Sequence, residues 1–412
     1  MNNLGISPLL LAILEKNGLT KPTPIQEKSI PIVLTGKDVI GIAQTGTGKT
    51  LAFGLPMIQL LAKKNGATGL IVLPTRELAM QVEETLKRIG SPLGLRTAIL
   101  VGGAPMGGQL SMIRQKPHVI VATPGRLNDH LQHKTINLGT VAILVLDEAD
   151  RMLDMGFEPQ IKKILSSVPK EHQTLLFSAT MPPKIRAIAN TYMKSPATVQ
   201  IAEAGSTTER ISQELYMISK DEKIQLLDKM LSDHKGTVLV FSRTKHGAKK
   251  ISHKIKDMGH TSADIHSNKS LSQRKAALDG FKSGRHRVLV ATDIAARGID
   301  VSDIELVVNF DLPDNPEDYV HRIGRTGRAG KMGKAISFAE HGQRYDVKEI
   351  ERLMRKSLAL KPNPVLPPKR ISVSGVNEVD RPERPKFNRF ARSNSSHSNS
   401  GRPASQYKTY RR

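Results

Sequence analysis

The sequence predicts an α/β protein with two domains, each a parallel sheet with helices on both faces, plus a disordered basic C-terminal tail. The chain has 412 residues, which is more than one ordinary domain usually contains. Short runs such as residues 70–73 and 142–146 are apolar at every position, and helical patterns alternate with such runs. Strands that are apolar on both faces are typical of a parallel sheet covered by helices.

The alternation is interrupted once and ends before the C-terminus. Residues 203–209 are small and polar and predict a linker between a first domain, 1–202, and a second domain, 210–360. Residues 361–412 contain 7 prolines and 12 lysines and arginines against 3 acidic residues, and they predict a disordered basic tail.

The charge balance of the whole chain favours a polyanionic partner. There are 62 lysines and arginines against 38 acidic residues, a formal net charge of +24. Nucleic acid is the simplest such partner, and a soluble protein with a basic tail is the alternative. Aromatic residues make up only 4%, so we expect contacts with the sugar-phosphate backbone, largely independent of sequence, rather than base stacking.

Several classes of protein are disfavoured by what the sequence lacks. It has no cysteine, which excludes disulfides, zinc fingers and thiol catalysis. No basic region precedes an apolar stretch at the N-terminus, and no apolar run approaches the ~18 residues of a membrane span. We therefore expect a cytoplasmic protein without a membrane partner.

A glycine-rich segment after an apolar strand predicts a phosphate-binding loop. It comprises Ala43, Gln44, Thr45, Gly46, Thr47, Gly48, Lys49 and Thr50. The glycines let the backbone wrap a phosphate, Lys49 neutralises the β and γ oxygens, and the Thr50 hydroxyl can bind Mg²⁺. The usual first glycine of this pattern is Ala43 here, and a chance glycine-rich turn is the alternative.

Acidic residues end a later strand and complete the predicted ATP site. Asp147 follows residues 142–146, at the strand end where a ligand of Mg²⁺ belongs, and Glu148 can orient the attacking water. Alone, this acidic turn is as consistent with a solvated loop, but together with the phosphate loop it predicts ATP hydrolysis. Gln26 carries an amide that matches the donor and acceptor edge of adenine.

The ordered set of motifs resembles the DEAD-box RNA helicases of superfamily 2, most closely the bacterial RhlE-type branch. The resemblance covers roughly residues 1–340 and implies two RecA-like domains. The motifs are 23–26 (TPIQ), 43–50 (AQTGTGKT), 74–79 (PTRELA), 102–103 (GG), 123–126 (TPGR), 147–150 (DEAD), 178–180 (SAT), 240–244 (VFSRT), 291–300 (ATDIAARGID) and 321–328 (HRIGRTGR).

The resemblance implies roles for individual residues. Gln26 selects adenine, Asp300 lies near the ribose, and Arg325 and Arg328 are arginine fingers on the γ-phosphate. Ser178, Thr180 and His321 couple the ATP state to domain closure. The residues implied in RNA binding are Pro74, Thr75, Arg76, Gly102, Gly103, Thr123, Gly125, Arg126, Arg274 and Thr292.

Three positions depart from the family pattern. Leu19 and Met1 stand where many members have aromatic residues near the adenine, which predicts weaker stacking. Leu271 replaces the glutamine of the family's Gln-x-x-Arg motif, so one polar contact near the RNA is missing.

The resemblance implies an ATP- and Mg²⁺-dependent RNA helicase that separates short duplexes or remodels RNA–protein complexes. Its partners would be single-stranded or short duplex RNA, with ribosome-assembly or RNA-degradation proteins as candidates. A non-catalytic RNA clamp or annealing chaperone is the alternative from another class, and a DNA helicase is a second one.

Overall fold

A computed structural model describes residues 1–44, 46–201, 211–296, 304–327 and 332–366. Thr45, Asp300, Arg328, the expected linker 203–209 and the tail from residue 367 onward lie outside the described residues. The described chain forms part of one compact unit, Met1–Lys369.

The first domain contains a seven-stranded sheet in which every pairing is parallel. Its strands are β1 (Val39–Ile42), β2 (Thr68–Val72), β3 (Thr97–Leu100), β4 (Val119–Ala122), β5 (Val141–Asp147), β6 (Gln173–Ser178) and β7 (Ala197–Gln200), in the order β3-β4-β2-β5-β6-β1-β7. Its helices are α1 (Pro8–Lys16), α2 (Pro24–Leu34), α3 (Lys49–Leu61), α4 (Arg76–Gly90), α5 (Met106–Arg114), α6 (Pro124–Gln132), α7 (Ala149–Asp154), α8 (Glu158–Ser167) and α9 (Pro183–Tyr192). Short 3₁₀ turns span Asn2–Leu4 and Ser91–Leu93.

The second domain repeats this architecture with another seven-stranded parallel sheet. Its strands are β8 (Ile211–Met217), β9 (Val238–Phe241), β10 (Ser262–Ile265), β11 (Val288–Ala291), β12 (Leu306–Asn309), β13 (Gly333–Ala339) and β14 (Ala359–Lys361), in the order β10-β11-β9-β12-β13-β8-β14. Its helices are α10 (Lys223–Asp233), α11 (Lys245–Asp257), α12 (Leu271–Lys282), α13 (Asp293–Ala296), α14 (Pro316–Ile323) and α15 (Arg344–Met354), with a 3₁₀ turn at His341–Gln343.

Each sheet is covered on both faces, as its apolar strands predict. The strands β4, β9, β11 and β12 are buried at every position. Alternate residues of one strand belong to different core clusters: Leu70 packs in one cluster of the first domain and Ile71 in the other. The predicted fold class is therefore confirmed.

The strand order positions the functional loops. Strand β6 lies between β5 and β1, so the segments that follow these three strands emerge side by side at the carboxyl edge of the sheet. In open parallel sheets, ligands bind at this edge. The phosphate loop follows β1, the acidic turn follows β5 and Ser178 ends β6.

Ordered contacts continue past residue 360, where we expected the second domain to end. Lys361, which we expected to begin the tail, pairs with Tyr216 in strand β14. The amide of Asn363 donates to the Met217 carbonyl at 2.9 Å, and Leu366 packs against the second domain's core. Proline and charge content alone did not reveal this short edge strand. Within the described residues, none of the helices combines the length and apolar character that crossing a bilayer requires.

Candidate active site

The phosphate loop turns on two glycines with left-handed backbone angles. The φ angles of Gly46 and Gly48 are 86° and 92°, a region that side chains with a Cβ rarely adopt. A Cβ on Gly48 would also collide with the Gln26 side chain. Helix α3 begins at Lys49, so its free N–H groups face the turn and form an anion site. The Thr47 hydroxyl donates to the Gln44 carbonyl at 2.7 Å and braces the loop.

Lys49 meets both predicted catalytic carboxylates. Its Nζ lies 3.3 Å from Oε1 of Glu148 and 3.9 Å from Oδ1 of Asp147, and all three side chains are buried. Burial lowers the pKa of Lys49, but the carboxylates of Glu148, Asp147 and Asp150 together raise it above its ordinary value. The ammonium therefore stays charged, as phosphate binding requires.

Asp147 lies in a site that favours a cation. Burial and the neighbouring Glu148 raise the pKa of Asp147 to about 6, against the opposing effect of Lys49. A bound Mg²⁺ would stabilise the charged carboxylate. No group of three or more histidines, cysteines or acidic residues among the described residues could form a metal cage. Mg²⁺ accompanying a nucleotide needs only one or two protein ligands because phosphates and water supply the rest, so Asp147 and Thr50 fit this cation.

Asp150 connects the acidic turn to the segment after β6. Its backbone N–H donates to Oγ of Ser178 at 3.1 Å. Its Oδ2 accepts from the N–H groups of Ala179 and Thr180, at 3.1 and 2.8 Å, and from the Thr180 hydroxyl at 2.9 Å. The predicted coupling residues are thus bonded to the acidic turn through Asp150, Ser178 by the backbone N–H of Asp150 and Thr180 by its carboxylate. The sequence analysis had assigned no role to Asp150.

Gln26 binds the phosphate loop through its own amide. Its Nε2 donates to the Gly48 carbonyl at 3.0 Å, and its Oε1 accepts from the Thr23 N–H at 3.0 Å. An amide has a second hydrogen and a second lone pair, which leaves a donor and an acceptor for adenine. Thr23 and Gln26 also form the capping box of α2. Helix capping alone is therefore a second explanation for these two residue types.

A cavity of about 620 Å³ lies beside α2. Its described lining residues include Met1, Leu4, Leu19 and Thr20 and contain no aromatic side chain. Leu19 and Met1, two of the three departures from the family pattern, therefore line one cavity. Their aliphatic side chains stand where many members have aromatic rings.

The second domain reaches this site through α14. Nη2 of Arg151, in the first domain, lies 3.3 Å from Nδ1 of His321, in the second. Burial, and then the Arg151 cation, lower the pKa of His321 to about 4. Arg325 is buried one turn further along, and its charge also bears on His321. Arg328, the second predicted finger, and Asp300, predicted at the ribose, lie outside the described residues.

Part of the residue set predicted for RNA forms a cationic cluster that includes residues of both domains. Burial and the charges of Arg274 and Arg126 lower the pKa of Arg76, so these guanidinium groups face a common region. A Cβ at Gly103 would collide with Arg76, and one at Gly102 would crowd it, which explains both glycines sterically.

The remaining predicted RNA residues include several with local structural roles. Thr75 is buried and caps α4 by accepting from the Leu78 N–H at 3.3 Å. Thr123 precedes α6, where Pro124 and Gly125 occupy the first turn, and Nη1 of Arg126 donates to the Ala104 carbonyl at 3.0 Å. Pro74 precedes Thr75 at the carboxyl end of β2. Thr292 follows β11, and its carbonyl accepts from Ala296 at 2.8 Å.

Arg274 lies in a buried contact between the two domains. It is buried, and its Nε lies 2.6 Å from Oε1 of Glu77, so it joins the two domains rather than facing solvent. Leu271, three residues earlier on α12, packs against the first domain's core cluster. A place for Arg274 near the RNA stays a prediction.

Four residues with structural importance at the site were missed or given other roles. They are Glu77, Asp150, Arg151 and Arg322. Arg322 forms an ion pair of 2.6 Å with Asp293 and lies 4.9 Å above the Phe241 ring. All four are charged residues within or adjoining motifs, yet buried, and buried charges are rare unless paired. Except for the contact of Arg151 with Glu148, their partners are distant in sequence, so no local pattern could have identified these pairs.

Two known protein families match this chain. The DEAD/DEAH box helicase family matches residues 23–188, and the helicase conserved C-terminal domain matches residues 222–330. Together these matches cover more than half of the chain.

Curated relatives are similar over most of the chain. The ATP-dependent RNA helicase CshA of Limosilactobacillus reuteri is 43% identical over 365 residues, which are 88% of this chain and 73% of the relative. The ATP-dependent rRNA helicase RRP3 of Debaryomyces hansenii is 40% identical, over 88% of this chain and 77% of the relative. Neither relative is named as an RhlE-type helicase, so the assignment of this chain to that branch remains a prediction.

Solved structures share the two-domain architecture. S. cerevisiae Dbp5 bound to RNA and ADP BeF3 is 31% identical with a TM-score of 0.77, over 88% of this chain and 95% of that one. Mss116p bound to ssRNA and AMP-PNP is 28% identical with a TM-score of 0.78, over 87% of this chain and 78% of that one. The two sheets described above are therefore RecA-like domains.

Proposed function

The chain belongs to the DEAD/DEAH box helicase family, and on that premise we propose that it is an RNA-stimulated ATPase that separates short RNA duplexes or remodels RNA–protein complexes. One observation carries the proposal. The first domain's Lys49–Glu148 pair is linked through Arg151 to His321 of the second domain. The hydrolytic groups are thus connected to a histidine of the second domain, and this connection exists only when the two domains are close together.

The first domain supplies the groups that bind and cleave ATP. Lys49 and the N–H groups at the start of α3 bind the phosphates, and Gln26 faces the base. Glu148 orients the attacking water and receives its proton as the water oxygen bonds to the γ-phosphorus. The bond from that phosphorus to the bridging oxygen breaks in the same step, and ADP leaves with the electron pair. Thr50 and Asp147 would hold Mg²⁺, which neutralises phosphate charge when it is bound.

The second domain supplies positive charge for the transition state. We assign this role to Arg325 and Arg328, as the family resemblance implies. Arginines of this kind contribute roughly 10³–10⁵-fold to the rate of phosphoryl transfer. RNA that contacts both domains favours the closed arrangement, so ATP and RNA bind cooperatively by linkage.

The RNA surface includes the cluster of Arg76 and Arg126 together with Gly102, Gly103 and Thr292. These groups suit phosphates and sugars rather than base edges, which supports binding that is largely independent of sequence. We further propose a cytoplasmic location and ribosome-assembly or RNA-degradation proteins as partners.

The test is the steady-state ATPase rate of the full chain with RNA, with DNA of the same sequence, and with neither. We expect strong stimulation by RNA and little by DNA. Equal stimulation by both would favour a DNA helicase. Hydrolysis below detection under all three conditions, with tight RNA binding, would support the non-catalytic RNA clamp.

A further inference from the structure

Arg151 is the buried side chain that contacts the hydrolytic carboxylate on one side and the second domain on the other. It lies on α7, three residues after Glu148, and is 2% exposed. Its Nε is 3.0 Å from Oε2 of Glu148, and its Nη2 is 3.3 Å from Nδ1 of His321. The contact between Nε and Oε2 is an ion pair and not a hydrogen bond, whereas Nη2 forms a hydrogen bond with His321. A planar guanidinium can hold both neighbours at once because its nitrogens lie in one rigid plane.

The direction of the second contact follows from chemistry. A guanidinium carries only donors, so Nη2 donates and the Nδ1 of His321 accepts. The imidazole must therefore be neutral with its proton on Nε2. The burial of His321 and the adjacent cations of Arg151 and Arg325 favour this neutral form over the opposing carboxylates of Asp150 and Glu148.

Lys49 and Arg151 contact different oxygens of the Glu148 carboxylate. Lys49 contacts Oε1 of Glu148, whereas Arg151 contacts Oε2. The phosphate-binding lysine of such loops serves the β and γ oxygens of the nucleotide. When Lys49 is engaged by phosphate, Arg151 still contacts the carboxylate and can orient it.

From these contacts we infer that Arg151 is a positioning residue that aims Glu148 at the attacking water and does so fully only when His321 of the second domain is in place. The Nη1 of Arg151 has no hydrogen-bond partner among the described residues, so the side chain has a donor to spare for a third group at the site. The inference rests on the proposed ATPase function and names a device that couples domain closure to hydrolysis.

The experiment measures ATP hydrolysis by the full chain at saturating RNA, with kcat and the KM for ATP determined separately. Arg151→Met keeps the length of the side chain and removes its charge. We expect kcat to fall by about 10²-fold, the lower end of what a misoriented general base loses, with KM within threefold of wild type. Arg151→Lys keeps the charge without the fork and should recover part of kcat. Arg186→Met, an exposed arginine of the same domain, is the control and should match wild type.

A double-mutant cycle separates positioning from mere structural support. If Arg151 acts with His321, the Arg151→Lys/His321→Ala double variant should lose little more kcat than the worse single variant. Binding of a fluorescent ATP analogue by each variant shows that the nucleotide site is folded. If Arg151→Met does not fold, the cycle alone decides.

Two results would overturn the inference. One is a kcat of Arg151→Met within threefold of wild type. The other is strict additivity of the Arg151→Lys and His321→Ala losses. If the wild-type chain shows no RNA-stimulated hydrolysis, the proposed function itself fails, which is a distinguishable outcome.

Discussion

Lys49 and Glu148 have separable tasks although they form one ion pair of 3.3 Å. Lys49→Ala should weaken ATP binding by roughly tenfold or more, because a charge-assisted contact to phosphate contributes about 1.5–3 kcal/mol. Glu148→Gln should retain ATP binding and lose turnover, since it preserves shape and removes only the base. Equilibrium ATP binding and single-turnover hydrolysis check both. An equal loss of ATP affinity in the two variants would contradict these roles.

Asp150 concentrates several hydrogen bonds on one carboxylate, and its charge should matter for coupling. Asp150→Asn keeps one acceptor oxygen but weakens the bonds to Ala179 and Thr180 and directs an amide N–H toward other donors. Bonds to charged groups contribute about 1.5–3 kcal/mol, so the segment after β6 should loosen. We expect fewer RNA duplexes separated per ATP hydrolysed, measured in parallel assays. An unchanged ratio would show that this carboxylate serves stability alone.

The residues that sequence reasoning identified share a local signature, and those it missed do not. Gly46, Gly48 and Lys49 are recognisable because backbone shape and phosphate charge demand them at fixed spacing. The pair of Arg274 with Glu77 joins two motifs that are far apart in the chain, so only tertiary structure reveals it. Gln26 illustrates a mixed case, because its motif is also a capping box that any helix could use.

At the scale of elements, the apolar runs predicted the strands because burial on both faces leaves no polar positions. The predicted strands at residues 70–73 and 142–146 are found at Thr68–Val72 and Val141–Asp147. Strand β14 escaped prediction because it is short, exposed and followed at once by prolines. This segment is a strand because it pairs with the edge of the sheet at β8, and its own sequence does not indicate a strand.

The first turn of α12 forms a contact between the domains that should favour their association. Leu271 packs on the first domain's core, where the family pattern has glutamine. Leu271→Gln should cost about 1 kcal/mol of this association, through lost apolar burial. We expect a higher RNA concentration for half-maximal ATPase stimulation. Leu360→Gln, at a leucine 65% exposed on β14, is the matched control and should behave as wild type. Identical behaviour of the two variants would contradict the role of this contact.

At the scale of the whole molecule, hydrolysis should require groups from both domains. Arg325 is buried in the second domain, whereas Lys49 and Glu148 belong to the first. Arg325→Ala should therefore leave ATP binding to the first domain intact and lower RNA-stimulated turnover by roughly 10³-fold or more, the range reported for such arginines. Nucleotide titration and steady-state kinetics test the two halves of this expectation. Normal stimulated turnover would place the transition-state charge on another residue.

The tail adds a separate electrostatic element to the chain. From residue 367 onward the sequence holds 11 lysines and arginines against 3 acidic residues, whereas every motif ends by residue 328. RNA binding weakens as salt concentration rises. For single strands, each phosphate that the tail neutralises adds about −0.7 to the slope of log K against log salt concentration. Because β14 and Leu366 belong to the second domain, the cut must follow residue 366 rather than 360.

Truncation after Leu366 should raise the RNA concentration needed for half-maximal ATPase stimulation and flatten its dependence on salt. The saturated rate should stay within about twofold, because the hydrolytic groups remain. A chain of full length whose tail arginines and lysines are replaced by glutamine is the control that separates charge from chain length. If the charge is responsible, both variants lose the same salt slope. If RNA affinity and salt slope survive truncation, the tail serves solubility or a protein partner instead.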